Sequence, residues 1–136
     1  MKRFIWLYLL LFNISLGIAQ EEADPYEGMD GPRVTFSEDR VDLGDIRQGD
    51  KVTRIFEFRN SGNQPLIIEN VLTTCGCTVP EWPKQPIEPG AEGILKVVFD
   101  STGKIGRQNK TITMRSNALG QLHRVRISAM VMPPGK

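Results

Sequence analysis

Two cysteines separated by a single residue are the side chains of this sequence with the most distinctive chemistry. Cys75 and Cys77 flank Gly76 and precede Thr78, and the 136-residue chain contains no other cysteine. A disulfide between residues two apart closes a very small ring, so we expect it to be strained and more easily reduced than an ordinary structural bridge. Gly76 is the residue best able to adopt the backbone angles that such a ring needs.

Three kinds of chemistry are open to this cysteine pair. The first is a structural disulfide that stiffens a loop, which is the usual role of paired cysteines in exported domains. The second is a metal site in which two thiolates bind copper or zinc, although two cysteines alone do not complete a zinc site. The third is thiol–disulfide exchange, although the C-x-x-C spacing of oxidoreductases is missing. Additional copper ligands would have to come from His123, Met114, Met130 or Met132.

Outside the cysteines, the sequence contains no recognisable catalytic arrangement. It has no nucleophile elbow, no phosphate-binding loop and no pair of carboxylates that spacing would bring together. His123 is the only histidine, and a lone histidine at the start of a strand is more typical of a surface residue than of a ligand. Trp82 lies in a proline-rich loop, where it would cover the core or anchor a partner. We therefore predict that the protein is not an enzyme.

The N-terminus has the features of an export signal. Two basic residues at positions 2–3 precede a hydrophobic stretch over residues 4–18, and the small residue Ala19 follows. This stretch is shorter than the about 20 apolar residues of a spanning helix, so we predict a cleaved signal peptide over residues 1–19. The mature protein would then have no membrane span. It would lie in the periplasm or at the cell surface, where thiols normally pair.

The remaining sequence predicts one folded domain between two short flanking segments. Residues 20–32 are rich in acidic groups and poor in apolar ones, which indicates a flexible acidic leader. Residues 33–132 form the domain, and residues 133–136 form a tail. The formal net charge of +1 and the lack of a basic stripe give no field to attract nucleic acid, so no nucleic-acid partner is expected.

Alternating apolar residues divided by glycine and proline predict an all-β domain. The alternation is clearest in residues 52–59, 95–99, 111–115 and 124–129. Residues 66–73 are apolar on both faces, which favours a strand that is covered on both sides or crosses between sheets. Residues 80–90 contain four prolines and cannot form a central strand. About seven short strands in about 100 residues predict an immunoglobulin-like β-sandwich, with a small barrel as the alternative.

The inward positions of these strands supply enough apolar side chains for a core. They are Phe36, Val52, Phe56, Phe58, Leu66, Ile68, Leu95, Val97, Phe99, Ile112, Met114, Val125 and Ile127. Such a core can hold a domain of this size without a metal or a disulfide. The cysteines are therefore not required to hold the fold together.

A specific combination of motifs surrounds the cysteines. The sequence Cys-Gly-Cys-Thr at residues 75–78 is followed by Trp82 and then by Pro-Ile-x-Pro-Gly, which ends at Pro89 and Gly90. On these motifs the chain resembles an exported bacterial family of immunoglobulin-like domains, domain of unknown function 1573. The resemblance covers nearly all of residues 33–132, and it implies the same sandwich fold.

A second motif, which is shared more widely, precedes the cysteines. Phe-x-Phe-x-Asn-x-Gly ends with Asn60 and Gly62, and it is similar to a motif of ASH, MSP and Hydin domains, which are immunoglobulin-like binding and scaffold modules. This resemblance implies an interaction role, although a likeness of fold does not define chemistry. We predict a non-catalytic cell-envelope module that has a structural role or binds an unidentified envelope protein. The alternative is a periplasmic copper-binding or thiol-redox protein.

Overall fold

The computed structural model describes residues 22–135 and contains eight β-strands. They are β1 (Val34–Phe36), β2 (Arg40–Arg47), β3 (Lys51–Asn60), β4 (Ile68–Thr73), β5 (Thr78–Glu81), β6 (Glu92–Asp100), β7 (Gly106–Ser116) and β8 (Leu122–Met132). The predicted signal peptide lies outside the described residues. Within residues 22–135, no helix has the length and apolar character needed to cross a bilayer.

The strands form two four-stranded sheets that pack face to face. The first sheet has the order β1-β3-β6-β5, and all its pairs are antiparallel. The second has the order β2-β8-β7-β4, in which β2 is parallel to β8 and the other pairs are antiparallel. The fold is an immunoglobulin-like sandwich, as the alternating pattern predicted. Because the two sheets share no strand among the described residues, the barrel alternative is wrong.

Alternate residues of both sheets meet in the core. Every predicted core residue is buried except Phe36 and Val52, which are partly buried. Most of them belong to one large cluster, and a smaller cluster consists of Phe99, Ala129 and Val131. Burial contributes about 1.5–3 kcal/mol for each large apolar side chain. Apolar burial is therefore the main source of stability.

The structure adds a strand to the seven that were predicted. Thr78–Glu81 pairs with β6 as β5, and its second half lies in the region where the prolines exclude a central strand. Pro80 is accepted there because β5 is the outer strand of the first sheet, so its missing N–H removes no hydrogen bond between strands.

The segment over residues 66–73 also differs from the prediction. Leu66 pairs with Ile87 in an isolated bridge, and only Ile68–Thr73 joins the second sheet. Leu72 is 56% exposed, so this strand is not covered on both sides. The reason is that residues 22–135 form only two sheets, so no further layer covers the outer face of β4.

Residues 24–32, which belong to the predicted acidic leader, contact the domain. Arg33 Nη1 lies 3.0 Å from Asp24 Oδ2, and Arg33 Nη2 donates to the carbonyl oxygen of Tyr26. Residues 31–32 are buried. The packed part of the chain therefore begins near Asp24, before the first strand.

Candidate functional site

The cysteine loop connects the two sheets at their outer strands. It leaves β4 in the second sheet and enters β5 in the first. Cys75 and Cys77 are joined by a disulfide bond, and their Cα atoms lie 5.3 Å apart. Both cysteines are partly buried. Gly76 is exposed, and beyond its chain neighbours no atom lies within 4 Å of the position that a Cβ would occupy. The outer side of the ring is therefore open to solvent.

The ring does not use the conformational freedom that was predicted for Gly76. Among the described residues, eight other glycines have a positive φ, but Gly76 does not. The tight ring is therefore closed with a backbone conformation that other residues can also adopt. The backbone conformation at position 76 therefore does not require glycine.

The two cysteines differ in their surroundings. The side chain of Cys77 packs against the smaller core cluster, and its carbonyl oxygen accepts a hydrogen bond from Asp100 N at 2.8 Å. The carbonyl oxygen of Cys75 accepts a hydrogen bond from Thr73 Oγ1 at 2.9 Å. Within residues 22–135, neither core cluster includes the side chain of Cys75. Cys77 is thus the inner cysteine of the pair, and Cys75 is the outer one.

Thr78 places a hydroxyl beside both sulfur atoms. Its side chain points into the sandwich opposite Phe99, and the residue is only 4% exposed. Thr78 Oγ1 lies 3.8 Å from Cys75 Sγ and 3.9 Å from Cys77 Sγ. In the described part of the chain, the two sulfurs are the only hydrogen-bond partners of this hydroxyl. The threonine of the Cys-Gly-Cys-Thr motif therefore belongs to the immediate environment of the disulfide.

The geometry argues against the predicted copper or zinc site. A metal needs free thiolates, whereas the two sulfurs are bonded to each other. Cys77 packs against the cluster that contains Val131, near the end of β8, and His123 lies near the start of that strand. At about 3.3 Å per residue, this corresponds to about 26 Å of strand. Met114 is fully buried in the main core cluster. Residues 22–135 contain no group of three His, Cys, Asp or Glu side chains arranged to hold a metal ion.

The Phe-x-Phe-x-Asn-x-Gly motif forms a buried hydrogen-bonding centre. Asn60 is fully buried, and its Nδ2 donates to the carbonyl oxygens of Gln64 at 2.7 Å and Ile87 at 2.9 Å. Its Oδ1 accepts hydrogen bonds from the backbone N–H groups of Gly62 at 3.0 Å and Arg33 at 3.3 Å. One side chain thereby joins three separate segments of the chain.

The Pro-Ile-x-Pro-Gly motif packs against the same centre. Residues 88–91 form a tight turn in which Pro89 restricts φ and Gly90 has a φ of 81°, a left-handed conformation that favours glycine. Gly90 N donates to the carbonyl oxygen of Asn60 at 2.7 Å. The structure thus brings Asn60, Gly62, Pro89 and Gly90 together, and their contacts are those of residues that hold the fold.

A patch that sequence analysis missed lies on the outer face of the first sheet. We call it the aliphatic face, and it consists of Ile55, Val79, Ile94 and Val98. The strand register places Val79 opposite Val98, and Ile55, Val79 and Ile94 are 53%, 57% and 47% exposed. Antiparallel sheets normally present polar side chains to water on such a face. The available signal was Ile55, which interrupts the alternation of β3.

Trp82 lies at the margin of the aliphatic face. It is partly buried against the main core cluster, and together with Pro83 and Ile94 it lines a shallow depression of about 260 Å³. Lys84 Nζ lies 3.1 Å from the centre of its ring, which is a cation–π arrangement. Trp82 therefore covers the core on one side and borders an exposed apolar surface on the other.

The outer face of the second sheet is cationic. Its exposed arginines include Arg40, Arg107, Arg115, Arg124 and Arg126. Arg40 lies directly opposite Arg126 on the neighbouring strand. Within residues 22–135, only Arg115 of this set makes an ion pair, with Glu69 at 3.4 Å. The two outer faces thus differ in character, although the net charge of the whole chain is +1.

His123 makes stability dependent on pH. Burial lowers its pKa below 6.5, and a hydrogen bond with the backbone of Leu119 offsets this effect in part. Its Nε2 is buried and has no partner in the described part of the chain. The unfolded chain binds more protons than the folded one as the pH falls below 6.5, so the free energy of unfolding decreases there and levels off below the lowered pKa.

Urea unfolding at about pH 7.5 and about pH 5.5 tests this effect. We expect the wild type to lose stability at the lower pH, and we expect His123→Gln to lose less. Equal losses in the two proteins would show that His123 is not responsible.

The fold and its surfaces define an immunoglobulin-like module. Residues 34–131 match the family described as "Protein of unknown function (DUF1573)", and the chain belongs to this family. The resemblance inferred from the Cys-Gly-Cys-Thr motif is therefore confirmed. A search of the curated proteins found no match.

Several solved structures contain the same sandwich. A protein of unknown function from Porphyromonas gingivalis W83 is 20% identical with a TM-score of 0.65, over 74% of this chain and 47% of that one. The ASH/PapD-like domain of human CEP192 is 10% identical with a TM-score of 0.63, over 83% of this chain and 96% of that one. The VesB protease of Vibrio cholerae is 15% identical with a TM-score of 0.59, over 72% of this chain and 32% of that one. The chain spans 47% of the Porphyromonas protein, and identities this low show the fold alone.

Proposed function

We propose that this protein is an exported, non-catalytic module of the cell envelope that binds another protein through the aliphatic face. The main support is the exposure of Ile55, Val79 and Ile94 on one side of an antiparallel sheet. Exposed apolar side chains grouped on one face in this way are typical of protein–protein contact. Export is supported by the charge and length of the N-terminal hydrophobic segment, and by a disulfide that oxidising compartments preserve.

The groups around this surface suit a protein partner. Lys96 Nζ and Glu81 Oε2 lie 3.7 Å apart with both side chains exposed, so charged groups lie among the aliphatic side chains. Trp82 adds an aromatic group at the margin, and buried aromatic residues often dominate binding energy. Pro80 removes an N–H from the outer strand β5. We therefore infer that the partner binds through side chains rather than by adding a strand to this sheet.

Introducing a charge into the aliphatic face tests the proposal. The tagged protein, expressed with its own N-terminal segment and purified from the envelope, serves as bait for an envelope extract of the producing bacterium. We expect Ile94→Glu and Ile55→Glu to reduce the quantity of each specifically recovered protein by about tenfold or more, because each variant buries a carboxylate in the contact. Quantitative mass spectrometry of the recovered proteins provides the measurement.

Ile105→Glu is the matched control for these variants. Ile105 is 55% exposed and lies in the turn before β7, outside the aliphatic face. We expect Ile105→Glu to recover the same quantity of each partner protein as the wild type. Circular dichroism checks that all three variants are folded. The proposal is wrong if no recovered protein depends on Ile94 and Ile55, or if Ile105→Glu causes the same loss.

A further inference from the structure

We propose that the Cys75–Cys77 disulfide undergoes thiol–disulfide exchange with a protein dithiol, and that Thr78 stabilises the thiolate that leaves. This activity would use the cysteine loop and not the aliphatic face, so it goes beyond the proposed binding function. Three observations support it, namely the small part of the chain that the bond constrains, the unequal surroundings of the two cysteines, and the buried hydroxyl beside both sulfurs.

The bond contributes little to holding the fold together. A disulfide stabilises a protein by restricting the unfolded chain, and the effect grows with the length of the enclosed loop. This bond encloses a single residue. The loop is also held without it, since Asp100 N binds the carbonyl oxygen of Cys77 and Thr73 Oγ1 binds that of Cys75. We therefore expect the reduced protein to remain folded.

The surroundings of the two cysteines determine the direction of attack. The side chain of Cys77 packs against the cluster of Phe99, Ala129 and Val131, whereas that of Cys75 belongs to neither core cluster of residues 22–135. An incoming thiolate therefore reaches Cys75 Sγ more easily. Its sulfur forms a new S–S bond with Cys75, the bond between the two cysteines breaks, and the electron pair leaves on Cys77 Sγ as a thiolate.

A second thiol of the partner completes the reaction. As a thiolate, this second group attacks the partner sulfur that is bonded to Cys75. A disulfide forms within the partner, and Cys75 leaves as a thiolate. The partner dithiol is oxidised by two electrons, and the disulfide of this protein is reduced to a dithiol. The two protons lost by the partner thiols are balanced by those taken up at Cys75 and Cys77.

Thr78 is placed to assist the departure of the thiolate. Its hydroxyl lies 3.9 Å from Cys77 Sγ and has only the two sulfurs as partners in residues 22–135. A hydrogen bond to a thiolate is charge-assisted and stronger than one to a neutral disulfide. The hydroxyl therefore stabilises the reacting and reduced states more than the oxidised state, which makes the disulfide easier to reduce.

The reduction rate of the full protein by dithiothreitol at fixed pH tests the role of Thr78. Samples are alkylated at intervals and weighed by mass spectrometry. We expect Thr78→Val to slow reduction about tenfold and Thr78→Ser, which keeps the hydroxyl, to restore it. Circular dichroism should show that the reduced wild type stays folded. Reduction of Thr78→Val at the wild-type rate, or unfolding of the reduced wild type, would overturn the proposal.

Single-cysteine variants test the direction of attack with glutathione disulfide as the probe. We expect Cys77→Ser, which retains the outer cysteine, to form the glutathione adduct about tenfold faster than Cys75→Ser, because its thiol is the more accessible one. Equal or reversed rates would overturn the assignment of Cys75 as the attacked residue. Neither measurement involves Ile94 or Ile55, so this proposal and the binding function can fail independently.

Discussion

Replacing Asn60 by leucine is expected to lower the free energy of unfolding by about 4 kcal/mol, the largest effect that we expect from a single substitution in this protein. The Asn60 amide makes four hydrogen bonds and is fully buried. Leucine has a similar size but leaves the backbone N–H groups of Gly62 and Arg33 and the carbonyl oxygen of Gln64 without the partner that the amide provides, while Ile87 O keeps its hydrogen bond from Leu66 N. Each unsatisfied group costs about 1–3 kcal/mol, and relaxation of the loops recovers part of this cost.

Urea unfolding followed by circular dichroism measures the effect, and Asn109→Leu is the matched control. Asn109 is exposed on β7, and within residues 22–135 its side chain makes no hydrogen bond, so we expect a change of less than about 0.5 kcal/mol. A loss below about 1 kcal/mol for Asn60→Leu would refute the structural role of this centre.

Asn60→Asp provides a sharper test of the same centre. Aspartate keeps the acceptor that binds Gly62 N and Arg33 N, but its second oxygen would face the carbonyl oxygens of Gln64 and Ile87. Burial and these carbonyls would raise the pKa of the introduced carboxyl in the folded state. The variant should therefore become more stable, relative to the wild type, as the pH falls toward about 4. A leucine at this position has no such dependence.

Gly62→Ala is expected to have the second-largest effect, a loss of about 3 kcal/mol. An added Cβ would overlap the carbonyl oxygen of Gly31 and would lie 2.6 Å from Arg33 N and 2.8 Å from Pro32 Cα. All three are backbone atoms, so no side chain can rotate away to relieve the contact. The gain of about 0.4–1 kcal/mol that alanine brings by restricting the unfolded chain is too small to compensate.

Thermal denaturation should show a decrease in Tm of about 15 °C for Gly62→Ala. Gly76→Ala is the matched control, because beyond its chain neighbours nothing lies within 4 Å of the added Cβ and the φ of Gly76 is not positive. We expect its Tm to stay within about 3 °C of the wild type. Similar losses for the two alanine variants would show that the close approach of the chain at Gly62 is not the cause.

The alternation of apolar and polar residues predicted the core well, because a strand that is buried on one face carries an apolar residue at every second position. Phe56 and Phe58 on β3 are buried, as the alternation required. On β6 the same rule was ambiguous, since Ile94 and Val98 are apolar as well as the inward-facing Val97. Only the pairing of β6 with its neighbours decides which set faces the core and which becomes the exposed aliphatic face.

Pro80 and the arginines also show that local sequence patterns do not reveal which strands are neighbours. A proline excludes a central strand, but β5 lies at the margin of its sheet because it pairs with β6, whose other side is occupied by β3. The arginines occupy β2, β7 and β8, which are separated along the chain and adjacent in the sheet. Net charge is a sum over the chain, so it cannot reveal that these residues share one face.

The sequence by itself predicted an immunoglobulin-like sandwich with a barrel as the alternative, a resemblance to one family, and Cys75 and Cys77 as the chemically distinctive residues. These conclusions follow from local alternation and spacing, which need no knowledge of long-range contacts. Only the tertiary structure decided that the side chain of Cys77 packs against a core cluster while that of Cys75 does not. It also decided that Thr78 places its hydroxyl beside both sulfurs. The environment of a disulfide is built by strands distant in sequence, and that environment governs how it can react.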